Sequence, residues 1–236
     1  MAEQMRIQRA LARAGVLSRR KAEELVANGR VRVNGALAQV GQTVDPDRDV
    51  ITVDGDRVAA PAPLEWFVLH KPAGVITTRH DPEGRQTVFD FVPKRPGLTY
   101  VGRLDFLTEG VLLLTTDGRA ANKLTHPSAE IERTYVASVL GEGDRAAEEA
   151  RYGVELEDGL VRPKRVSAQR VGRGRWDLTI TIAEGKNREV RRLCEALGLE
   201  VDRLVRVKFG PVELGDLAVG KVRSLTKQER AALERL

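Results

Sequence analysis

The sequence predicts an α+β protein of two parts, a small domain of two helices with a hairpin-built sheet and a larger domain in which strands interleave with few helices. Three observations carry this expectation. Two hydrophobic periods of helical spacing open the chain. The pairs Asn34-Gly35 and Asp54-Gly55 then interrupt alternating segments as tight hairpin turns do. Beyond a Pro/Ala-rich stretch, short apolar and β-branched runs outnumber helical ones, which favours a mixed sheet over a doubly wound one.

Taken in order, Ile7, Ala10, Leu11 and Ala14 recur at helical spacing, and Gly15 stops a helix over about residues 5–14. Ser18 caps a second helix over 19–28 whose Ala22, Leu25 and Val26 face inward before Gly29 ends it. Arg19, Arg20 and Lys21 are left in its exposed first turn. Residues 30–33 alternate up to Asn34-Gly35, and 50–53 lead to Asp54-Gly55, completing a domain over 1–57. Residues 58–64 have the composition of a short, semi-rigid linker. The second domain, 65–236, should hold strands at 65–70, 111–116, 135–140, 176–183 and 204–209, with helices at 119–124, 144–152 and 188–197. Thr226 and Glu229 make a capping box for a last helix.

Charged residues make up 31% of the 236 and hydrophobic ones 42%, and no apolar run approaches the roughly 18 residues of a membrane span. Residues 1–10 lack the sections of an export signal, so a cytoplasmic protein is expected. Cys194 has no second cysteine to pair with, and His70, His80 and His126 lack ligand spacing, so no disulfide and no metal site are expected. The net charge of +5 is uneven. Residues 1–34 contain Arg6, Arg9, Arg13, Arg19, Arg20, Lys21, Arg30 and Arg32 against Glu3, Glu23 and Glu24, eight minus three, and the rest of the chain balances. Such a segment is an electrostatic footprint for phosphates, or else a solvated face.

Residues 101–118 set a charged, turn-rich half against an apolar half. The run 111–116, closed by Asp117-Gly118, reads as a strand buried on both faces, which places Arg103, Asp105 and Glu109 at the edge of a core. A carboxylate there can be shielded from water and still meet a ligand, although a lone Asp most often caps a turn. Further on, Val190, Leu193, Cys194 and Leu197 form one buried helical stripe, with Arg191 about 100° away at its edge. Lys186, Arg188, Arg191 and Arg192 read by themselves as an RNA-facing patch. Gly185-Lys186 is no phosphate loop, because position 180 is Ile.

The text SRRKAEELVANGRVRVNG over 18–35 resembles the small S4-like RNA-binding domain. The motifs KPAGVITT (71–78), GRLDFLTEGVLLLTTDG (102–118), HPSAEIERTY (126–135), EGKNREVRRLCEALG (184–198) and VGKVRSLTKQE (219–229) resemble the RsuA/RluB family of rRNA pseudouridine synthases, and HPSAEIERTY and NREVRRLCEALG are closer to its RluB-like large-subunit enzymes. The resemblance implies a pseudouridine synthase fold on a mixed, mostly antiparallel sheet. It also implies conversion of a uridine in ribosomal RNA, 23S in particular, to its C-glycoside isomer, with no cofactor. The implied partner is rRNA, free or in an assembly intermediate, and the protein acts as a monomer. In this reading Asp105 is the essential aspartate, Tyr135 lies against the base, and Arg191 is the basic partner of Asp105. Arg103 helps evict the base. Arg19, Arg20, Lys21, Arg30, Arg32, Lys186, Arg188 and Arg192 meet RNA phosphates. Lys71, Pro72 and Gly74 pack beneath the loop, and Glu109 is structural, bonding turn amides. Leu107 departs from the Asp or Asn common at its position. The alternatives are a 16S enzyme, a noncatalytic RNA-binding or ribosome-assembly factor, and an N-glycosidase using Asp105 and Glu109.

Overall fold

The computed structural model describes residues 4–59 and 63–236. Ala60, Pro61 and Ala62 of the linker segment, and Met1 to Glu3 of the segment read for an export signal, lie outside the described residues. The chain forms two compact units. The first gathers the residues up to Glu65 together with Lys94–Thr99 and Thr115–Gly118, and the second holds the remainder.

In the first unit β1 (Met5–Arg6) leads into α1 (Ile7–Arg13) and α2 (Arg19–Ala27), then β2 (Val31–Val33), β3 (Ala36–Leu37), β4 (Thr43–Val44), β5 (Ile51–Val53) and β6 (Asp56–Arg57). Ser18 caps α2 by accepting from the Lys21 amide. Both turns use two consecutive residues at positive φ, Asn34 (51°) with Gly35 (85°) and Asp54 (54°) with Gly55 (92°), as two-residue hairpins require. The hairpins build an antiparallel sheet in the order β3-β2-β5-β6. Ile7, Leu11, Ala22, Val26 and Val31 form its apolar core. The first helix is shorter than the periodicity predicts. Met5 and Arg6 are extended because they pair with Val44 and Thr43, a long-range partnership that local spacing does not reveal.

The second unit is built on β7 (Trp66–Lys71), β8 (Thr99–Val101), β9 (Thr108–Thr115), α3 (Gly118–Thr125), β10 (Arg133–Leu140), α4 (Gly143–Tyr152), β11 (Val154–Leu156), β12 (Gly159–Val161), β13 (Arg165–Gly172), β14 (Arg175–Ile182), α5 (Glu189–Ala196), β15 (Glu200–Phe209), β16 (Val212–Glu213), β17 (Val222–Ser224) and α6 (Lys227–Glu234). Its main sheet runs β13-β14-β10-β15-β9-β7-β17, with β16 on β15 and β8 on β9. The sheet is mostly antiparallel, but β9 and β15 run parallel. Val111 to Thr115 are all buried, as expected of a strand covered on both faces. Ala121 and Leu124 of α3 and Leu233 of α6 join Val111, Leu113 and Phe209 in one apolar cluster. The edge strand β13 is unpredicted, because RVSAQRVG has too few apolar residues to register as an alternating strand.

The parallel step brings β15 unusually close to β9. Gly110 stands beside Arg206 at φ 109°, and a Cβ there would lie 2.2 Å from the Arg206 carbonyl oxygen. Gly110→Ala is therefore expected to lower the unfolding free energy by ~3 kcal/mol or more. Denaturant melts of the two proteins check this, and an unchanged midpoint contradicts it.

Candidate active site

The segment from Leu104 to Thr108 is irregular up to Leu107 and enters β9 at Thr108, and non-repetitive backbone against a core must find partners for its polar groups. Every one of its five carbonyls has one. Leu104 O accepts the Thr77 hydroxyl at 2.9 Å, and Asp105 O accepts the Thr108 amide at 3.0 Å, closing a turn. Phe106 O accepts the Gly74 amide at 2.8 Å and the Lys71 ammonium at 3.3 Å. Leu107 O accepts Arg191 Nη2 at 2.9 Å, and Thr108 O accepts Lys71 Nζ at 2.9 Å. The Asp105 backbone is thus held from β7, the segment after it, and α5, while its side chain stays half-exposed.

Lys71 is fully buried, and as the sequence reading expected it lies beneath the loop. Burial pulls its pKa down to about 8, opposed by the nearby negative charges of Asp105 and Glu109. Glu109 does not bond turn amides. Its carboxylate forms a two-point ion pair with Arg203 on the adjacent strand, at 3.0 and 2.8 Å, which lowers its pKa. A carboxylate committed in this way is a poor acid/base partner for a glycosidase. The single thiol is also no nucleophile, because burial pushes Cys194 up to about 12.

Asp105 lines a cleft of about 540 Å³, a volume suited to a nucleoside. Buried Leu104, Tyr135, Ile182, Val190, Leu204 and Phe209 give it an apolar wall, and three partly or fully exposed cations stand at it, Arg103, Lys186, which pairs with Glu184 at 3.2 Å, and Arg188, which pairs with Glu195 at 3.4 Å. Tyr135 and Arg206 are direct cross-strand partners on β10 and β15, so their side chains share a face. A β-bulge between Thr134 and Tyr135 shifts the register at that point, and bulges re-aim side chains. α5 buries Val190, Leu193 and Cys194, which puts Arg191 at the edge of its stripe and against the loop.

Four expected contacts differ. Arg191 reaches the loop through the Leu107 carbonyl, and among the described residues no ion pair within 4.0 Å joins it to Asp105. Arg192 does not line the cleft, because Asp158 holds its guanidinium at 2.9 and 2.8 Å. In the first unit Arg30 is engaged by Asp54 at 2.8 and 2.5 Å and Arg32 bonds the Gly35 carbonyl, whereas Arg19, Arg20 and Lys21 are exposed as expected. Sequence reasoning missed Thr108, Arg133 and Arg206. The only sign of the last was an Arg inside the apolar strand Leu204 to Phe209.

The sequence pattern of the RNA pseudouridylate synthases matches residues 65–196 of this chain, and that of the S4 domain matches residues 5–50. The chain belongs to the RNA pseudouridylate synthase family. It is 46% identical over 234 residues to the ribosomal large subunit pseudouridine synthase B of Pseudomonas aeruginosa, covering 95% of this chain and 60% of that relative. Identity to the protein of the same name in Pasteurella multocida is 44% over 223 residues, covering 91% and 64%. These matches therefore span less than two thirds of both relatives. An uncharacterised RNA pseudouridine synthase of Mycobacterium leprae is 41% identical over 231 residues, covering 95% of this chain and 90% of the relative. Among solved structures, one described as the crystal structure of a pseudouridylate synthase superposes with a TM-score of 0.66 at 26% identity, over 97% of this chain and 99% of the other. The α+β fold with an N-terminal S4 domain is thus the one found in this family.

For this pseudouridylate synthase family member, the buried ammonium beneath the loop has a measurable signature. Lys71 titrates near 8 when folded and near 10.5 when unfolded, so between these values the unfolded chain binds more protons and stability rises with pH. Against a Lys71→Met variant, wild type is expected to gain roughly 1–2 kcal/mol between pH 7.5 and 9.5. Chemical unfolding at the two pH values checks this, and a flat or opposite difference contradicts it.

Proposed function

We propose that this chain isomerises a uridine of ribosomal RNA, in the large subunit, to pseudouridine, with Asp105 as the catalytic carboxylate. The observation that carries the reading is the placement of Asp105, on a turn whose backbone is fastened at every carbonyl and beside an apolar cleft that carries exposed cations. In the reaction the N1–C1′ bond breaks, the base turns, a C5–C1′ bond forms, the C5 proton leaves and N1 takes one up, with no change of oxidation level. A carboxylate stabilises the electron-poor C1′, captures it covalently or removes a proton. Tyr135 offers a ring for the base to lie against. Arg191 acts on Asp105 through the Leu107 carbonyl and so positions the turn. Arg103, Lys186 and Arg188 meet phosphates and, in the case of Arg103, the place the base leaves.

The same reading makes residues 1–57 an RNA-gripping domain and residues from 65 onward the catalytic one. Three cations in the first turn of α2 oppose the positive end of the helix dipole, an arrangement that an anionic partner relieves. The protein acts as a monomer in the cytoplasm, where ribosomal RNA is matured.

The test uses rRNA fragments tritiated at uridine C5. Wild type is expected to release tritium to solvent, and Asp105→Asn to lose more than about a thousandfold in rate while its RNA Kd stays within threefold. Normal turnover by the variant would remove Asp105 from the role. Free uracil from wild type would indicate hydrolysis, and binding without release a noncatalytic factor. In a separate measurement, Arg19, Arg20 and Lys21 are replaced together by Gln. The slope of log affinity against log salt should then flatten by about 2 to 3, and an unchanged slope shows that these residues do not meet phosphates.

A further inference from the structure

The proposed reaction uses Asp105, Tyr135 and the exposed cations, yet two polar groups deeper in the cleft are left without work in the free protein. Arg206 is 2% exposed and Thr108 is 2% exposed, and both line the cleft. Arg206 Nη2 and Thr108 Oγ1 are fully buried with no hydrogen-bond partner among the described residues. Buried polar atoms are paired in the great majority of cases, and an orphan guanidinium nitrogen is among the costlier exceptions.

Their placement follows from the sheet. In the parallel ladder Thr108 is opposite Leu204 and Gly110 opposite Arg206, so Thr108 and Arg206 lie two steps apart along neighbouring strands, on the face that also carries Tyr135. The guanidinium is fixed before any ligand arrives. Its Nε donates to the Val111 carbonyl at 2.8 Å, and its carbon lies 5.3 Å from the centre of the Phe209 ring. The Thr108 backbone is equally fixed, its amide on Asp105 O and its carbonyl on Lys71.

We propose that Arg206 and Thr108 are the receptor for the target base, with Arg206 Nη2 donating to a carbonyl oxygen of the uracil and the Thr108 hydroxyl bonding its polar edge. This rests on the isomerase reading above. Depth favours the base over a phosphate. Arg206 and Thr108 are buried among Leu204, Tyr135 and Phe209, a setting for a flat ring, whereas the exposed Arg103 and Arg188 are placed for phosphates. The chemistry favours it as well. When N1 parts from C1′ the base carries negative charge spread onto its carbonyl oxygens, and a pre-oriented cationic donor holds that charge more tightly than the neutral base. Arg206 neither gains nor loses a proton. Its part is to bind the base and keep it in the cleft while it turns.

The test pairs Arg206→Gln with Thr108→Val in the full chain, reading single-turnover tritium release, RNA Kd and melting temperature. Thr108→Val removes a hydroxyl without a partner, so the variant is expected to melt no lower than wild type and yet react about tenfold more slowly. Arg206→Gln should react roughly 100- to 1000-fold more slowly. Both should keep the RNA Kd within threefold. The proposal is overturned if either folded variant reacts within threefold of wild type. A Kd that weakens as much as the rate also overturns it, since that is the behaviour of a phosphate contact. Should Arg206→Gln fail to fold, Thr108→Val decides. If wild type itself releases no tritium, the isomerase reading fails, an outcome distinct from any difference between variants.

Discussion

The structure around the cleft depends on one constraint, the need to partner the carbonyls of a non-repetitive segment at the edge of a core. A strand satisfies its polar groups by repetition, but the turn from Leu104 to Thr108 cannot. Five carbonyls therefore draw in Thr77, the Thr108 amide, Gly74, Lys71 and Arg191. Burying the Lys71 ammonium is costly by itself, and two loop carbonyls, the Pro72 carbonyl and the negative charges of Asp105 and Glu109 offset that cost. The result is a carboxylate whose own side chain is half-exposed on a backbone with little freedom. That combination is what a group poised for chemistry requires.

The sheet supplies the other half of the arrangement. The parallel contact of β9 with β15 and the antiparallel contact of β15 with β10 bring three distant segments side by side, and the bulge beside Tyr135 sets which side chains share a face. Arg133 and Arg206 both stand against the Phe209 ring, and Arg133 is further held by the Ala183 and Glu184 carbonyls. Burial lowers the Arg133 pKa and raises that of Glu189, whose carboxyl also lines the cleft. Fixed guanidinium groups in an apolar wall make the cleft receptive to negative charge, a property shared by RNA and by a base leaving its sugar.

Charge in the first unit divides in the same manner between occupied and available groups. Arg30 is committed to Asp54 and Arg32 to a hairpin carbonyl, so the sum over residues 1–34 overstates what a phosphate can meet. Arg19, Arg20 and Lys21 project from a helix start where their repulsion by the dipole is uncompensated. Exposed pairs such as Arg30 with Asp54 add little stability. Their larger effect here is to leave fewer cations free to meet an anion.

The sequence by itself determined the local structure. Asn34-Gly35, Asp54-Gly55, the Ser18 cap, the 226/229 capping box and the doubly buried run after Asp105 are short-range signals, and each appears where its chemistry requires. The motifs around Asp105, Tyr135 and Arg191 likewise marked residues that the fold gathers at one cleft. Contacts were not legible, because a side chain's partner depends on register between strands far apart in the chain. Only the tertiary structure turned Arg191 to a loop carbonyl, gave Glu109 to Arg203 and Arg192 to Asp158, and left Arg206 and Thr108 buried in the cleft. Periodicity tells which way a residue faces, whereas only strand pairing decides what it meets there.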